Sequence, residues 1–184
     1  MADAADARER LKQERSELQS INPVPFGFFA RPKRRRDGST DLLEWAIGIV
    51  PKSTSPYSLP NNSCCYEAKL SFSADFPIDP PTAMFTPPIY HTNVFDTGVV
   101  CLSILLKVGH HEGKVASHWY PTMSIKDILI GLQNFLDEPN PHSRANLEAC
   151  GYLLKEGRAA YDARIKKEAL HYEEKLEAYK KSQK

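Results

Sequence analysis

The chain has 184 residues, of which 41% are hydrophobic and 26% are charged. This length fits one domain with a short appendage, and this composition excludes a largely disordered chain. The longest apolar runs, AIGIV and ILIGL, are far shorter than the ~20 residues that a membrane span requires. The first residues, MADAADARER, contain no apolar signal segment, so we expect a soluble intracellular protein without a membrane-spanning part.

The formal net charge of +1 argues against a general nucleic-acid binder. Positive charge nevertheless collects in one segment, here called the basic hairpin: Arg31, Lys33, Arg34, Arg35 and Arg36. Such a cluster predicts a surface that binds a protein partner. A nuclear-localisation patch and plain solvated charge are the alternatives that the sequence leaves open.

The predicted elements begin with a charged helix over residues 4–20, which a proline-rich stretch ends. Four β-type segments follow, and an Asp37-Gly38 turn separates the first two of them. The third segment alternates apolar and polar residues, as a strand with one buried face does. In chain order, the predicted strands are PFGFFA, LLEWAIGIV, CCYEAKLSFS and TAMFT.

The C-terminal third returns to helical periodicity. A stripe of apolar residues from Ile125 to Leu136 predicts a helix, and Ser124 with Asp127 forms a capping-box pattern in front of it. Two further helices are predicted, over residues 145–156 and 158–180. Helix, four successive strands and then helices indicate an α+β fold with an antiparallel β-meander.

The irregular segment between strands and helices, YHTNVFDTGVVCLSIL, holds the candidate chemistry. Cys101 lies there with His91 and Asn93 upstream, and Gly98 gives the loop conformational freedom. A cysteine in such a loop is a candidate nucleophile that forms thioesters. From the residue types alone, a small buried hydrophobic cysteine is the alternative.

The sequence predicts no metal and no cofactor. The four cysteines form no CxxC pair, and they are expected to be free thiols. His110, His111 and His118 follow the candidate nucleophile. No cysteine or carboxylate is spaced as a further ligand, so a histidine-bearing loop is the preferred interpretation.

The segment HTNVFDTGVVCLSIL resembles the active site of ubiquitin-conjugating enzymes, in which a cysteine follows the Asn of a His-Pro-Asn motif by eight residues. Within that family the chain is most similar to the branch that conjugates SUMO, through PFGFFARP, CLSIL and IGLQNFLDEPN. The resemblance implies a UBC-like fold with an N-terminal helix, a four-stranded antiparallel meander and C-terminal helices. It covers a catalytic core over residues 5–170, and residues 171–184 are a charged extension of the last helix.

The resemblance also implies roles for individual residues. Cys101 would carry SUMO as a thioester and pass it to a substrate lysine. Asn93 would donate a hydrogen bond to the oxyanion or hold the active-site loop, and His91 would be structural. Phe95, Ser143 and Cys150 would line the lysine path. The noncovalent SUMO surface of the family lies on the first helix and its exit, where this chain retains only Arg15. We expect the basic hairpin to replace the charge that is missing there.

Several family residues are replaced in this chain. Thr92 stands for the proline of the motif, so the backbone gains an N–H donor. Phe95 and Cys150 stand for tyrosines, and Ser143 stands for the carboxylate that positions the incoming lysine. The lysines that meet an acidic residue near the acceptor lysine are replaced by Thr82 and Met84.

The expected partners are SUMO, its activating enzyme, SUMO ligases and protein substrates with an acceptor lysine, with ATP used only by the activating enzyme. We expect a monomer in nucleus and cytoplasm. The same chemistry with ubiquitin is the nearest alternative. An inactive variant that only binds a modifier is a second, although Asn93 and Cys101 argue against it. A papain-like hydrolase is a third, but no segment with the required downstream histidine is apparent.

Overall fold

A single antiparallel sheet with helices before and after it makes up the part of the chain that is described. The computed structural model describes residues 4–21, 27–58, 65–107, 118–143 and 145–183. The elements are α1 (Ala4–Ser20), β1 (Phe29–Arg34), β2 (Thr40–Ile49), β3 (Tyr66–Ser71), β4 (Thr82–Phe85), a 3₁₀ turn (Ser103–Leu105), α2 (Ile125–Asp137), α3 (Leu147–Leu170) and α4 (Tyr172–Ser182). The predicted α+β fold is therefore confirmed.

The sheet has the strand order β1-β2-β3-β4, and each strand is antiparallel to its neighbours. Alternate residues of β2 and β3 face the core, as the period of two predicts. Cross-strand pairs from these two strands form the centre of that core: Trp45 with Leu70, Ile47 with Ala68, and Ile49 with Tyr66. Helix α1 packs against β1 and β2, and α2 packs against β2.

The predicted position of the first strand is wrong. The apolar segment PFGFFA was expected to form it, but β1 begins at Phe29 and continues through the basic residues to Arg34. Gly27 has a φ of +73°, which does not fit an extended strand. The register is set by the tight turn, in which the Arg35 N–H donates to the Ser39 carbonyl over 2.8 Å. An edge strand tolerates the charge because one side of it faces solvent.

A buried carboxylate connects α1 to the start of α2. Glu14 of α1 is 3% exposed, and its Oε2 accepts the backbone N–H of Ile125, the first residue of α2, over 2.9 Å. The Arg10 guanidinium pairs with the same carboxylate over 2.7 Å. The predicted capping box is also present, since Ser124 and Asp127 bond each other's backbone N–H groups. Helix α2 therefore begins at a fixed residue and in a fixed orientation.

The C-terminal helices are interrupted twice. Gly157, with a φ of +83°, breaks α3 between the two predicted helices, so this predicted interruption is confirmed. The second predicted helix does not run to residue 180, because a further break occurs at His171. The division into a core of residues 5–170 and an extension of 171–184 stays a prediction. None of the described helices is both long and apolar enough to cross a membrane.

Candidate active site around Cys101

A narrow turn after β4 brings Cys101 back to Asn93. The N–H of Phe95 donates to the Val99 carbonyl over 2.9 Å, and the N–H of Cys101 donates to the Asn93 carbonyl over 2.8 Å. Gly98, at φ +90°, closes this turn, and a Cβ there would lie 2.3 Å from the Phe85 carbonyl oxygen. No other residue fits that position without moving the backbone. The spacing of eight residues between Asn93 and Cys101 is therefore the length of one small hairpin.

The Cys101 thiol is half-buried, and Ser143 lies close enough to it to affect its pKa. Burial raises the pKa of the Cys101 thiol, and the Ser143 side chain offsets part of that effect. Ser143 is held by its own backbone, whose N–H donates to the Asn140 carbonyl over 3.1 Å. The loop that follows α2 thus holds the Ser143 side chain near the Cys101 sulfur. The predicted place of Ser143 on the lysine path stays a prediction.

The Asn93 side chain is 7% exposed, and its orientation is fixed by two donors. Oδ1 accepts the Thr92 hydroxyl over 2.7 Å and the backbone N–H of Asn140 over 2.9 Å. Because a backbone N–H can only donate, the atom facing Asn140 must be the oxygen. The side-chain amide group is therefore on the other side, and none of the described residues accepts a hydrogen bond from it. The Asn93 side chain thus has an oxygen that holds the loop and an amide group that bonds none of the described residues.

His91 is fully buried and structural in its contacts. Its Nδ1 accepts the backbone N–H of Asn93 over 3.0 Å, and its ring lies 4.2 Å from that of Phe135. Burial lowers the pKa of His91 to about 3, although the Phe135 carbonyl raises it slightly. The imidazole is therefore neutral at physiological pH. A group that remains neutral and enclosed is unsuited to proton transfer with a substrate.

We expect the buried His91 to make stability fall as the pH is lowered below about 6.5. The unfolded chain protonates this histidine near pH 6.5, but the folded chain does so only near pH 3. The unfolded state therefore binds the extra proton, and the free energy of unfolding falls by about 2 kcal/mol between pH 7.5 and 5.0. Urea denaturation across this range measures it. H91N, which keeps an acceptor for the Asn93 N–H, should flatten the curve; an unchanged slope would contradict the assignment.

Phe95 and Cys150 lie in different environments. Phe95 is 41% exposed, so its ring is available on the surface of the Cys101 turn. Cys150 is buried, and its Sγ donates to the Ser143 carbonyl over 3.0 Å. Cys150 thus contacts the Ser143 loop, and its predicted place on the lysine path stays a prediction.

Sequence reasoning missed three residues that support the site. Thr92, Asn140 and Tyr161 bond Asn93 or its neighbours, although they were not among the predicted site residues. The replacement of proline by Thr92 was the one signal available. Nothing in the sequence indicated that a backbone N–H 47 residues further along the chain would orient Asn93.

The predicted partner surface falls partly into one groove. Four of its six residues line a groove between α1 and β1: Arg15, Arg31, Lys33 and Arg34. Arg35 instead pairs with Asp41 over 3.0 Å, and Arg36 lies in the turn outside the groove. The groove thus collects positive charge that is separated along the chain.

Most of the histidine-bearing loop, including His110 and His111, lies outside the described residues. Cys64 lies outside them as well. His118 is described, and its Nδ1 lies 3.2 Å from the Ser103 hydroxyl. No cluster of three metal-ligating side chains occurs in the part of the chain that the structure describes. Among the described cysteines, Cys101 and Cys150 are free thiols.

Comparison with known proteins identifies the class. The sequence model of the family described as ubiquitin-conjugating enzyme matches residues 10–169. The chain therefore belongs to the ubiquitin-conjugating enzyme family, whose members are transferases that form a thioester intermediate. It is 36% identical over 170 residues to the SUMO-conjugating enzyme UBC9 of Caenorhabditis elegans, covering 92% of this chain and 93% of that protein. It is 34% identical over 163 residues to the SUMO-conjugating enzyme ubc9 of Dictyostelium discoideum, covering 89% and 93%.

Proposed function

We propose that this chain is a SUMO-conjugating enzyme. It accepts SUMO on Cys101 from the activating enzyme and transfers it to lysines of substrate proteins. The observation that carries the proposal is the similarity to two SUMO-conjugating enzymes over nearly the whole chain, together with the hairpin that joins Asn93 to Cys101. SUMO, the activating enzyme and substrate proteins are the partners that this function requires, with ligases and a monomeric state as further proposals.

The chemistry consists of two acyl transfers. The Cys101 sulfur attacks the thioester carbonyl of SUMO on the activating enzyme, whose cysteine leaves as a thiolate. A neutral lysine amine then attacks the new thioester, Cys101 leaves, and an isopeptide bond remains. Burial disfavours the charged thiolate of Cys101, but it does not disfavour the neutral thioester. The half-buried position therefore favours the acylated enzyme over the free thiolate.

Two residues act at the second transfer. The side-chain amide group of Asn93 supplies a donor for the oxyanion that develops when the lysine attacks. The Ser143 hydroxyl, next to the sulfur, orients the amine as an acceptor but holds no negative charge. Removal of the lysine proton is then left to water.

Charging with two modifiers tests the proposed function. Purified protein is mixed with SUMO or ubiquitin, each with its own activating enzyme and ATP, and the adduct is examined with and without thiol reductant. A reducible adduct with SUMO, in excess over ubiquitin, is the expected result. A reducible adduct with ubiquitin alone would establish the other conjugation pathway. No adduct with either modifier would contradict the proposed function.

The charged groove between α1 and β1 should speed association with a partner of the conjugation reaction. Replacing Arg31, Lys33 and Arg34 by alanine should lower the rate of charging several-fold at low salt, and the difference should shrink at high salt. Charges at an interface mainly raise the association rate, and salt screens them over about 8 Å at physiological strength. R36A, on the same hairpin but outside the groove, is the matched control. Equal losses in both variants would contradict a role for the groove.

We propose that the protein is found in nucleus and cytoplasm. The exposed basic hairpin has the composition of a nuclear-localisation patch. Imaging of the groove variant separates the two roles. Unchanged charging with lost nuclear accumulation would assign the basic hairpin to targeting.

A further inference from the structure

Thr92 occupies the centre of the hydrogen bonds that hold the candidate active site. It is fully buried, and its hydroxyl donates to Asn93 Oδ1 over 2.7 Å. Its backbone N–H donates to the Tyr161 hydroxyl over 3.1 Å, and its carbonyl accepts the Asn146 N–H over 3.2 Å. A proline at this position would have neither the N–H nor the hydroxyl. Both donors of Thr92 are therefore in use.

The backbone contacts of Thr92 hold it against helix α3, and its hydroxyl in turn holds the side chain of Asn93. Tyr161 lies on α3 and Asn146 is the residue that caps the start of that helix, so Thr92 is anchored to one helix by both sides of its backbone. The hydroxyl is then held against Oδ1 of the neighbouring amide. Because Oδ1 also receives the Asn140 N–H, two donors from separate parts of the chain hold the amide in one orientation.

We propose that Thr92 is a positioning residue that orients the Asn93 amide for transfer to lysine. The proposal rests on the proposed function, since it requires the Asn93 amide group to act as the donor. Thr92 does not touch the reacting atoms; it acts through Asn93. A donor held in place before the reaction stabilises a developing oxyanion without reorganisation, and a donor that rotates loses part of that benefit.

The experiment compares T92V with T92S. Valine has nearly the shape of threonine but no hydroxyl, and serine restores the hydroxyl. A neutral hydrogen bond of ordinary strength predicts a loss of roughly three- to tenfold in the single-turnover rate of transfer to free lysine. T92V should lower this rate while the rate of charging from the activating enzyme stays unchanged. T92S should recover most of it.

A double-mutant cycle distinguishes positioning from a general structural effect. If Thr92 acts through Asn93, T92V should cause no further loss of transfer rate in an N93A background. An equal loss in both backgrounds would overturn the proposal. So would a T92V enzyme that transfers at the wild-type rate.

A measurement without any modifier separates this proposal from the proposed function. The side-chain amide signal of Asn93 in a ¹⁵N spectrum, assigned by its absence in N93A, should shift in T92V and return in T92S. Unchanged signals in T92V would overturn the positioning role even if SUMO is conjugated. A shifted signal in a protein that charges with neither SUMO nor ubiquitin would support the contact and refute the proposed function alone.

Discussion

Replacing Cys101 by serine should convert the reducible adduct into one that survives thiol reductant, because an oxygen ester forms in place of the thioester. C101A should abolish the adduct altogether, which is the largest effect that any single change in this chain should produce. The reason is that the bond to the modifier is made by this sulfur, and no neighbouring group can replace it. Gel analysis of the charging reaction with and without reductant measures both outcomes.

The other cysteines provide the matched controls for Cys101. C65S and C150S should still form the reducible adduct, as should C64S. The control at Cys150 is the most demanding, because its thiol is buried and donates to the carbonyl of Ser143, whose side chain affects the pKa of Cys101. A serine hydroxyl can keep that bond. Loss of the adduct in a folded C150S protein with Cys101 intact would refute the assignment.

Replacing Asn93 by alanine should leave charging intact and slow transfer to lysine by about 10²–10³-fold. This is the size of loss expected when one donor to an oxyanion is removed. The same change should also destabilise the fold by about 1–3 kcal/mol, because the Thr92 hydroxyl and the Asn140 N–H lose their acceptor. Single-turnover discharge and thermal denaturation measure the two effects separately.

The variant N93D distinguishes the two halves of the Asn93 side chain. Aspartate keeps an oxygen for Thr92 and Asn140 but replaces the amide group with a second acceptor. We therefore expect N93D to retain the contacts of the active-site loop and still to lose transfer. If N93D transfers at the wild-type rate, Asn93 does not act as a donor. Its role would then be confined to the loop.

The fold could be predicted where buried apolar residues recur with the period of a helix or a strand. It was harder to predict where backbone hydrogen bonds set the position of an element. The stripe from Ile125 to Leu136 and its capping box gave α2 nearly residue by residue. The position of β1 was wrong because hydrogen bonds of the turn, and not apolar residues, set its register. The break at His171 was missed because Tyr172 continues the apolar face of the helix and is itself buried.

The candidate site, like the fold, could be predicted only in part from the sequence. Asn93 and Cys101 are only eight residues apart, so a short sequence motif was enough to predict that they lie together. The orientation of the Asn93 amide depends on the Asn140 N–H, and that contact exists only after α2 and the loop beyond it have packed. Almost any residue type can supply a backbone N–H, so the sequence gives no sign of such a long-range contact. Ser143 was found through the family resemblance, whereas Asn140 had no such signal.

The contact between Glu14 and Ile125 has a consequence for the order of events during synthesis. The two residues are 111 positions apart, so at about 5–20 residues per second the ribosome needs roughly 6 to 22 s to make the partner. During that time the Glu14 carboxylate stays hydrated, because the backbone N–H that donates to it has not yet been made. This hydrogen bond between α1 and α2 is therefore among the last contacts of α1 to form, whereas its packing against β1 and β2 can form much earlier.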